Sequence, residues 1–298
     1  VMITSGEDTT TVLSGFTIQN GYNNGNYTLQ NGYRSGGGIF CYSSEPTISN
    51  LIVRNNSVGG KGGGLYFNYS YSYLKEIIIS GNDATSGNDG GGIYIENSTI
   101  IIENSSLHNN SAVYGGGISC MNSNLTLTNV SITNNSATQK GGGITLHDNS
   151  IPTLTNVTIT NNTGTGIYCD NSSDPVLVNC VLWNNSPQEV FFRSSNSANS
   201  ITISYSDILG GESGIVTNNN GNVYWLDGNI NSDPLFVDTA NGDYRLSNFS
   251  PCIGAGLDTS IVPTTDLDGN SRPNPAGSNP DMGAYENALA LPDVLGCM

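Results

Sequence analysis

Residues 115–136 read GGGISCMNSNLTLTNVSITNNS, and residues 141–163 read GGGITLHDNSIPTLTNVTITNNT. Both copies begin with a glycine triplet and continue as three short segments in which apolar and polar residues alternate. The triplet also begins at Gly36, Gly62 and Gly90, so the sequence repeats about every 25 residues. Alternation with a period of two predicts β-strands, and the intervening Gly and Asn residues predict turns.

A repeat of three strands and no helix cannot bury its own apolar face, so neighbouring copies must stack. The predicted fold is all-β: a parallel β-helix, or β-solenoid, of about eight coils over residues 1–209. A small irregular module is expected over residues 210–298. The core residues predicted on the first strand of each repeat are Ile39, Leu65, Ile93, Ile118, Ile144 and Ile167, and those on the third strand are Val53, Ile79, Leu107, Ile132, Ile159 and Leu182.

A column of asparagines recurs at one turn of the repeat. Stacking places equivalent positions above one another, so each side-chain amide is expected to bind its neighbours in a ladder. Glu76 takes the equivalent place in one coil and interrupts the column. The predicted ladder residues are Asn50, Asn104, Asn129, Asn156 and Asn179.

The C-terminal part has a different sequence pattern from about Asp207 onwards. It contains SPCIGAG at residues 250–256, DLDGNSRP at 266–273 and DMGAYE at 281–286. The repeats resemble the right-handed parallel β-helix repeats of secreted bacterial proteins, and these motifs resemble the "choice-of-anchor" module that closes many of them. The resemblance implies a right-handed solenoid, a secreted or cell-surface location, and a capping or anchor-like role for residues 210–298.

The charge of the chain limits its partners. It carries 24 acidic and 8 basic residues, a formal net charge of -16. A negative field of this size repels phosphate, so nucleic acid is an unfavourable partner. The apolar runs Ile77–Ile79 and Ile100–Ile102 are far shorter than the roughly 18 residues of a membrane helix, so no membrane span is predicted. Self-association, another surface protein and polysaccharide remain as partners.

Six cysteines invite a disulfide interpretation in an extracellular chain. Four of them fall on inward positions of the repeat and are expected to act as small core hydrophobes: Cys41, Cys120, Cys169 and Cys180. Cys252 and Cys297 lie outside the repeat and form the candidate disulfide.

Parallel β-helices include polysaccharide lyases and hydrolases, so catalytic residues were sought on the outward third-strand positions. A lyase needs a base beside a neutralised uronate, and a hydrolase needs a pair of carboxylates. That face carries no carboxylate pair. Arg54 and His108 share a column two coils apart, and His147 with Asp148 falls in a turn region; all four are interpreted as ordinary exposed side chains.

A cluster of hard oxygen ligands occurs at Asp266, Asp268 and Asn270 and suits Ca²⁺, the one cofactor considered. It is not an EF-hand loop, because Gly269 comes at the fourth position. Asp281 and Glu286 complete such a site if the module folds them back. An acidic turn without metal is the alternative.

These features together favour a non-catalytic extracellular structural or adhesive surface protein that assembles end to end into a fibre. The alternatives are a carbohydrate-active enzyme of the polysaccharide lyase or hydrolase kind, and a binding solenoid for carbohydrate or, through outward threonines such as Thr126 and Thr128, for ice. A polar groove rich in carboxylates on one face distinguishes the enzyme from the structural protein.

Overall fold

The chain winds into a parallel β-solenoid with three sheets along its axis. The computed structural model describes residues 1–23, 36–194 and 197–293. In these residues the first sheet has eight strands: Met2–Ile3, Ile39–Tyr42, Leu65–Asn68, Ile93–Glu96, Ile118–Met121, Ile144–His147, Ile167–Cys169 and Val190–Phe192.

The second sheet is formed by the remaining two segments of each repeat. One row consists of Val12–Ser14, Thr47–Ser49, Tyr71–Lys75, Thr99–His108, Asn124–Thr133, Thr153–Thr160, Val176–Val178, Asn199–Ser204 and Gly221–Trp225. The adjoining strands are Thr17–Gln19, Ile52–Arg54, Ile78–Ser80, Val181–Trp183 and Asp207–Ile208.

The third sheet is shorter and ends just before the glycine triplets. Its strands are Tyr22–Asn23, Ser57–Val58, Asp83–Asp89, Ser111–Tyr114 and Ser136–Lys140. Outside the solenoid, Phe236–Asp238 pairs antiparallel with Asp243–Leu246. The helical elements among the described residues are two 3₁₀ turns, Glu212–Gly214 and Thr239–Asn241, and none is long and apolar enough to span a bilayer.

Each strand pairs in parallel with the same strand of the next coil. Ile118 aligns with both Ile93 and Ile144, and Ile132 aligns with Leu107 and Ile159. All twelve predicted core side chains are buried, and the four repeat cysteines are buried free thiols. The sequence-based prediction of an all-β parallel solenoid is confirmed.

The glycine triplets mark the places where neighbouring coils approach most closely. Gly115 has a φ of 64°, a conformation that side chains disfavour. A Cβ on Gly116 would lie 2.5 Å from the carbonyl oxygen of Ser136 at the end of the same repeat and 2.7 Å from that of Gly142 in the next coil. No side chain fits between these coils at this corner, which explains why the triplet recurs in five successive repeats.

An asparagine ladder runs through the solenoid one corner away from the predicted one. Each member comes directly after a residue with a left-handed backbone that follows a second-sheet strand; this residue is Gly81 before Asn82 and an asparagine in the other coils. The Asn110 side chain donates to Asn135 Oδ1 at 2.9 Å, and Asn135 donates to Asn162 Oδ1 at 3.1 Å. The backbone N–H groups donate to the same oxygens. The ladder residues are Asn56, Asn82, Asn110, Asn135, Asn162 and Asn185.

The asparagine column predicted as a ladder has a different role along much of its length. Its members share a left-handed backbone, and Asn129 donates to Asn104 Oδ1 at 3.0 Å. Asn156 instead donates to the carbonyl oxygen of Asp281, and Asn179 exchanges two hydrogen bonds with the backbone of Leu257. These amides bind the C-terminal segment because it folds back along the outside of the solenoid.

A buried ion pair fixes that C-terminal segment. Arg272 Nε donates to Glu286 Oε2 at 2.7 Å, and both side chains are fully buried. Arg272 Nη1 also donates to Asn129 Oδ1 at 3.0 Å. Beside this pair, Met282 and Ile253 pack against Val181 of the solenoid. The hydrogen bond to Asn129 therefore joins this ion pair to a solenoid residue 143 positions from Arg272 in the chain.

Parallel pairing continues past residue 209, the predicted domain boundary. Gly221–Trp225 pairs with Asn199–Ser204, and Ile230 bridges Asp207. Val223 and Trp225 pack against the main core. The sequence pattern missed this last coil because no glycine triplet introduces it.

The thiol of Cys252 also faces the solenoid. Cys252 Sγ donates to Asp207 Oδ2 at 3.3 Å, and both residues are buried. Its proposed partner, Cys297, lies outside the described residues, so the disulfide stays a prediction.

Replacing Asn135 by alanine tests the ladder. The change removes hydrogen bonds to Leu107, Asn110 and Asn162 inside the solenoid. Buried polar groups left unpaired cost about 1–3 kcal/mol each, so we expect the free energy of unfolding to fall by at least about 2 kcal/mol. Denaturant unfolding followed by tryptophan fluorescence measures it. Asn124→Ala, at an exposed strand position, serves as the control, and equal effects of the two changes would contradict the ladder.

The buried Asp207 carboxyl predicts a pH dependence of stability. Burial raises its pKa to about 7, whereas the unfolded value is about 3.9. Between these values the native state binds more protons, so its stability falls as the pH rises. We expect a higher melting temperature at pH 5 than at pH 8, and a smaller difference in Asp207→Asn.

The exposed Asp258 supplies the matched control for this pH effect. Asp258→Asn should leave the pH dependence unchanged. If Asp207→Asn melts with the same pH dependence as the parent protein, the assignment to Asp207 is wrong.

Candidate functional site

The outward face of the first sheet carries aromatic and charged side chains. Because the first and third residues of each strand point into the core, the second and fourth point outwards. The second positions are Phe40, Tyr66, Tyr94, Ser119, Thr145, Tyr168 and Phe191, and the fourth positions are Tyr42, Asn68, Glu96, Met121 and His147. In the next two coils, Asp170 and Arg193 directly follow the strands.

A cleft of about 700 Å³ opens on this face. One wall comes from the ends of third-sheet strands, just before the glycine triplets, and the other from the ends of first-sheet strands. We call it the His147 cleft. Its lining residues are Asp89, Val113, Tyr114, Met121, His147, Asp148, Tyr168, Asp170, Asn171, Arg193 and Ser194.

His147 lies between two tyrosine rings. Its ring centre is 6.1 Å from that of Tyr114 and 6.1 Å from that of Tyr168, both in edge-on arrangements. Tyr168 stacks on Phe191 in the next coil, with the ring centres 5.9 Å apart. Each ring is fixed by its strand, so the cleft has a rigid aromatic border.

Asp170 joins His147 to Arg193. Its Oδ2 lies 2.9 Å from Arg193 Nη1 and 3.5 Å from His147 Nδ1. The Asp170 side chain is 8% exposed, whereas that of Arg193 is 60% exposed. Among the described residues, the second oxygen, Asp170 Oδ1, has no hydrogen-bond partner. Asp170 Oδ1 is thus a buried acceptor that the described residues leave unpaired.

Asp89 lies on the opposite wall and connects the cleft to a second polar cluster. Burial raises the pKa of its carboxyl, and the charges of His147 and Lys61 oppose that rise. Asp89 thus lies within electrostatic range of both groups. A carboxyl with a raised pKa that lines the same cleft as an imidazole is a candidate general acid.

The second cluster lies on the same face, towards the N-terminal coils. Lys61 Nζ donates to Tyr94 Oη at 2.7 Å and lies 3.7 Å from Glu96 Oε1. Tyr66 Oη donates to Glu96 Oε2 at 2.6 Å. Among the described residues, the buried Asn68 Oδ1 has no partner. The polar surface therefore continues beyond the His147 cleft.

The sequence analysis underestimated His147 and Asp148. Both line the cleft, and His147 ends a first-sheet strand instead of lying in a turn. Arg54 binds Gln19 on the exposed second sheet, while His108 lines a separate polar depression with Tyr244 and Tyr285. The structure does not bring Arg54 or His108 to the cleft.

The candidate calcium residues form a hydrogen-bonded turn. Asp266 Oδ1 accepts from the backbone N–H groups of Asp268 and Asn270, and its Oδ2 accepts from the N–H of Glu286. Asp268 pairs with Arg245 at 2.6 Å. Asp281 does not join this turn, since its carboxylate accepts from other backbone N–H groups. In the chain as described, no group of three or more His, Cys, Asp or Glu side chains could hold a metal ion. Calcium binding stays a prediction.

Sequence analysis missed Tyr168, Asp170 and Arg193. It searched the outward positions of the third strand for carboxylate pairs, whereas the cleft uses the outward positions of the first strand. The sequence did contain a signal for this face: in most coils the residue directly after the first buried residue of the strand is aromatic. The wall that contains Asp89 depends on how the third sheet ends, which the repeat pattern does not specify.

Comparisons with known proteins agree with the fold. Residues 85–230 match the family model described as a right handed beta helix region, in agreement with the predicted handedness. No curated protein gives a significant match. Among solved structures, the chain is similar to the crystal structure of pectate lyase Pel9A, with 14% sequence identity and a TM-score of 0.48. The alignment covers 93% of this chain and 87% of that chain.

The functional prediction is corrected at this point. The expectation of a non-catalytic structural or adhesive surface protein is wrong, because the first sheet carries the polar groove with carboxyl groups that distinguishes the carbohydrate-active alternative. That alternative also agrees better with the right handed beta helix family model. The residues of the His147 cleft supply the physical argument for that alternative. Self-association, a bacterial source and the anchor-like role of the C-terminal part stay predictions.

Proposed function

We propose that this protein is a carbohydrate-active β-helix that binds a polysaccharide in the His147 cleft. The observation that carries the proposal is His147 held between Tyr114 and Tyr168, with the Asp170–Arg193 pair beside it. Aromatic borders with a few fixed polar groups are typical of ligand sites. Sugars present apolar C–H faces and many hydroxyl groups, and this cleft offers partners for both.

The rigidity of the solenoid supports such a role. Tyr168 and His147 stand on strands that are hydrogen-bonded on both sides. A site on rigid elements loses little conformational entropy when a ligand binds. An open cleft on a long face also admits a polymer that extends beyond the site at both ends. An extracellular location, where polysaccharides are abundant, is part of this proposal.

Cleavage of the bound glycan is a second candidate, favoured by the pair of Asp89 and His147. In a hydrolysis, Asp89 would donate a proton to the glycosidic oxygen while His147 accepts one from the attacking water. Asp170, beside His147 Nδ1, would stabilise the imidazolium that results. Incubating a bound polysaccharide with the protein and following its chain length tests this candidate. Asp89→Asn should stop chain shortening, and an unchanged rate would reject the assignment.

Binding is tested with a panel of soluble polysaccharides by affinity electrophoresis and calorimetry. The variants are Arg193→Ala, which removes an exposed side chain, and Tyr114→Ala, which removes one ring beside His147. We expect each to weaken binding at least tenfold, because each removes a direct contact with the sugar. Thermal melting of each variant checks that its fold is intact.

Tyr224 supplies the control, since it is 50% exposed and stands on the second sheet. Tyr224→Ala should bind as the parent protein does. Absence of binding to every polysaccharide, or binding that neither cleft variant weakens, would refute the proposed function.

A further inference from the structure

More acidic than basic side chains line the His147 cleft. Two carboxylates line it, those of Asp148 and Asp170, together with the carboxyl of Asp89, whose pKa is raised by burial. Among the residues that the structure describes, Arg193 is the one arginine or lysine in the lining, and it is already paired with Asp170 at 2.9 Å. The whole chain adds a formal charge of -16 to this local excess. An anionic ligand therefore approaches against the field of both the cleft and the protein.

The carboxylates of the cleft also limit which hydrogen bonds a ligand can form there. Carboxylates only accept hydrogen bonds, and Asp170 Oδ1 has no donor among the described residues although its side chain is more than nine-tenths buried. The Asn171 amide, which could donate, is taken up by the Asp148 carboxylate. Sugar hydroxyl groups can donate to the carboxylates of the cleft, whereas the carboxylate of a uronic acid supplies only further acceptors.

We propose that the His147 cleft selects uncharged polysaccharides and rejects polyuronates. This inference rests on the proposed function and names its substrate class. The physical basis is like-charge repulsion together with a mismatch of acceptors against acceptors, both of which act against the wrong ligand. The guanidinium of Arg193 does not reverse the preference, because Asp170 neutralises it.

A matched pair of ligands tests the inference. A neutral polysaccharide bound by the protein is oxidised at its C6 hydroxyl groups, which converts those sugars to uronates without changing the backbone linkage. We expect the oxidised form to bind at least tenfold more weakly at low ionic strength, with a smaller loss at high salt. The measurement is calorimetry, carried out with EDTA and again with millimolar Ca²⁺.

A variant separates the charge effect from a simple loss of fit. Asp148→Lys changes the charge of the lining by two, so we expect it to recover a large part of the binding to the oxidised glycan. Asp258→Lys makes the same change at an exposed position outside the cleft lining and should have little effect.

Two results would overturn the inference in distinguishable ways. If the oxidised glycan, or polygalacturonate, binds as well as the neutral one in either buffer, the proposed function stands and the charge selection is wrong. If no polysaccharide of either charge binds, the proposed function fails and the inference fails with it.

Discussion

The hydrogen bonding of each strand to its own counterpart in the next coil is the constraint on which this molecule depends. Ile118 must lie above Ile93 and below Ile144, so every inward position becomes a continuous apolar stack. The same stacking places the asparagine side chains at the corner between the second and third sheets above one another, where they form a ladder of buried amides. A polar group can occupy the interior at this corner because the coil on each side provides its partner.

Side chains at outward positions need not match those of the next coil, and the outer faces of the first and second sheets therefore carry different groups. On the second sheet, Asn156 and Asn179 hold the C-terminal segment, and the buried Arg272–Glu286 pair locks it in place. On the first sheet, aromatic and charged side chains border the His147 cleft. The same kind of repeat therefore supports the C-terminal part of the chain on one face and forms the proposed ligand site on another.

Much of the fold could be read from the sequence because the repeat is strict. The glycine triplets and alternating residues identified the strands, the core and the buried cysteines. The sequence analysis missed the last coil, with Gly221–Trp225, because this strand pairs in parallel with the coil before it although its sequence lacks the repeat motif. The hydrogen-bond partners of the Asn156 side chain could not be predicted from the sequence either, since they lie 125 or more residues away along the chain. Asp89 and Asp170 are likewise brought to one cleft by third-sheet geometry that local patterns do not encode.

The two walls of the His147 cleft are built from successive coils: four coils add one to three residues each to the first-sheet wall, and two coils add one or two residues each to the third-sheet wall. Coils follow one another at about 4.8 Å, the spacing of neighbouring strands. That distance is close to the length of a sugar unit. Duplication or loss of a single repeat would therefore change the number of sugars the groove can hold by about one, while the core gained or lost only a copy of what it already contains. In such a protein the length of the recognised chain is a property of repeat number.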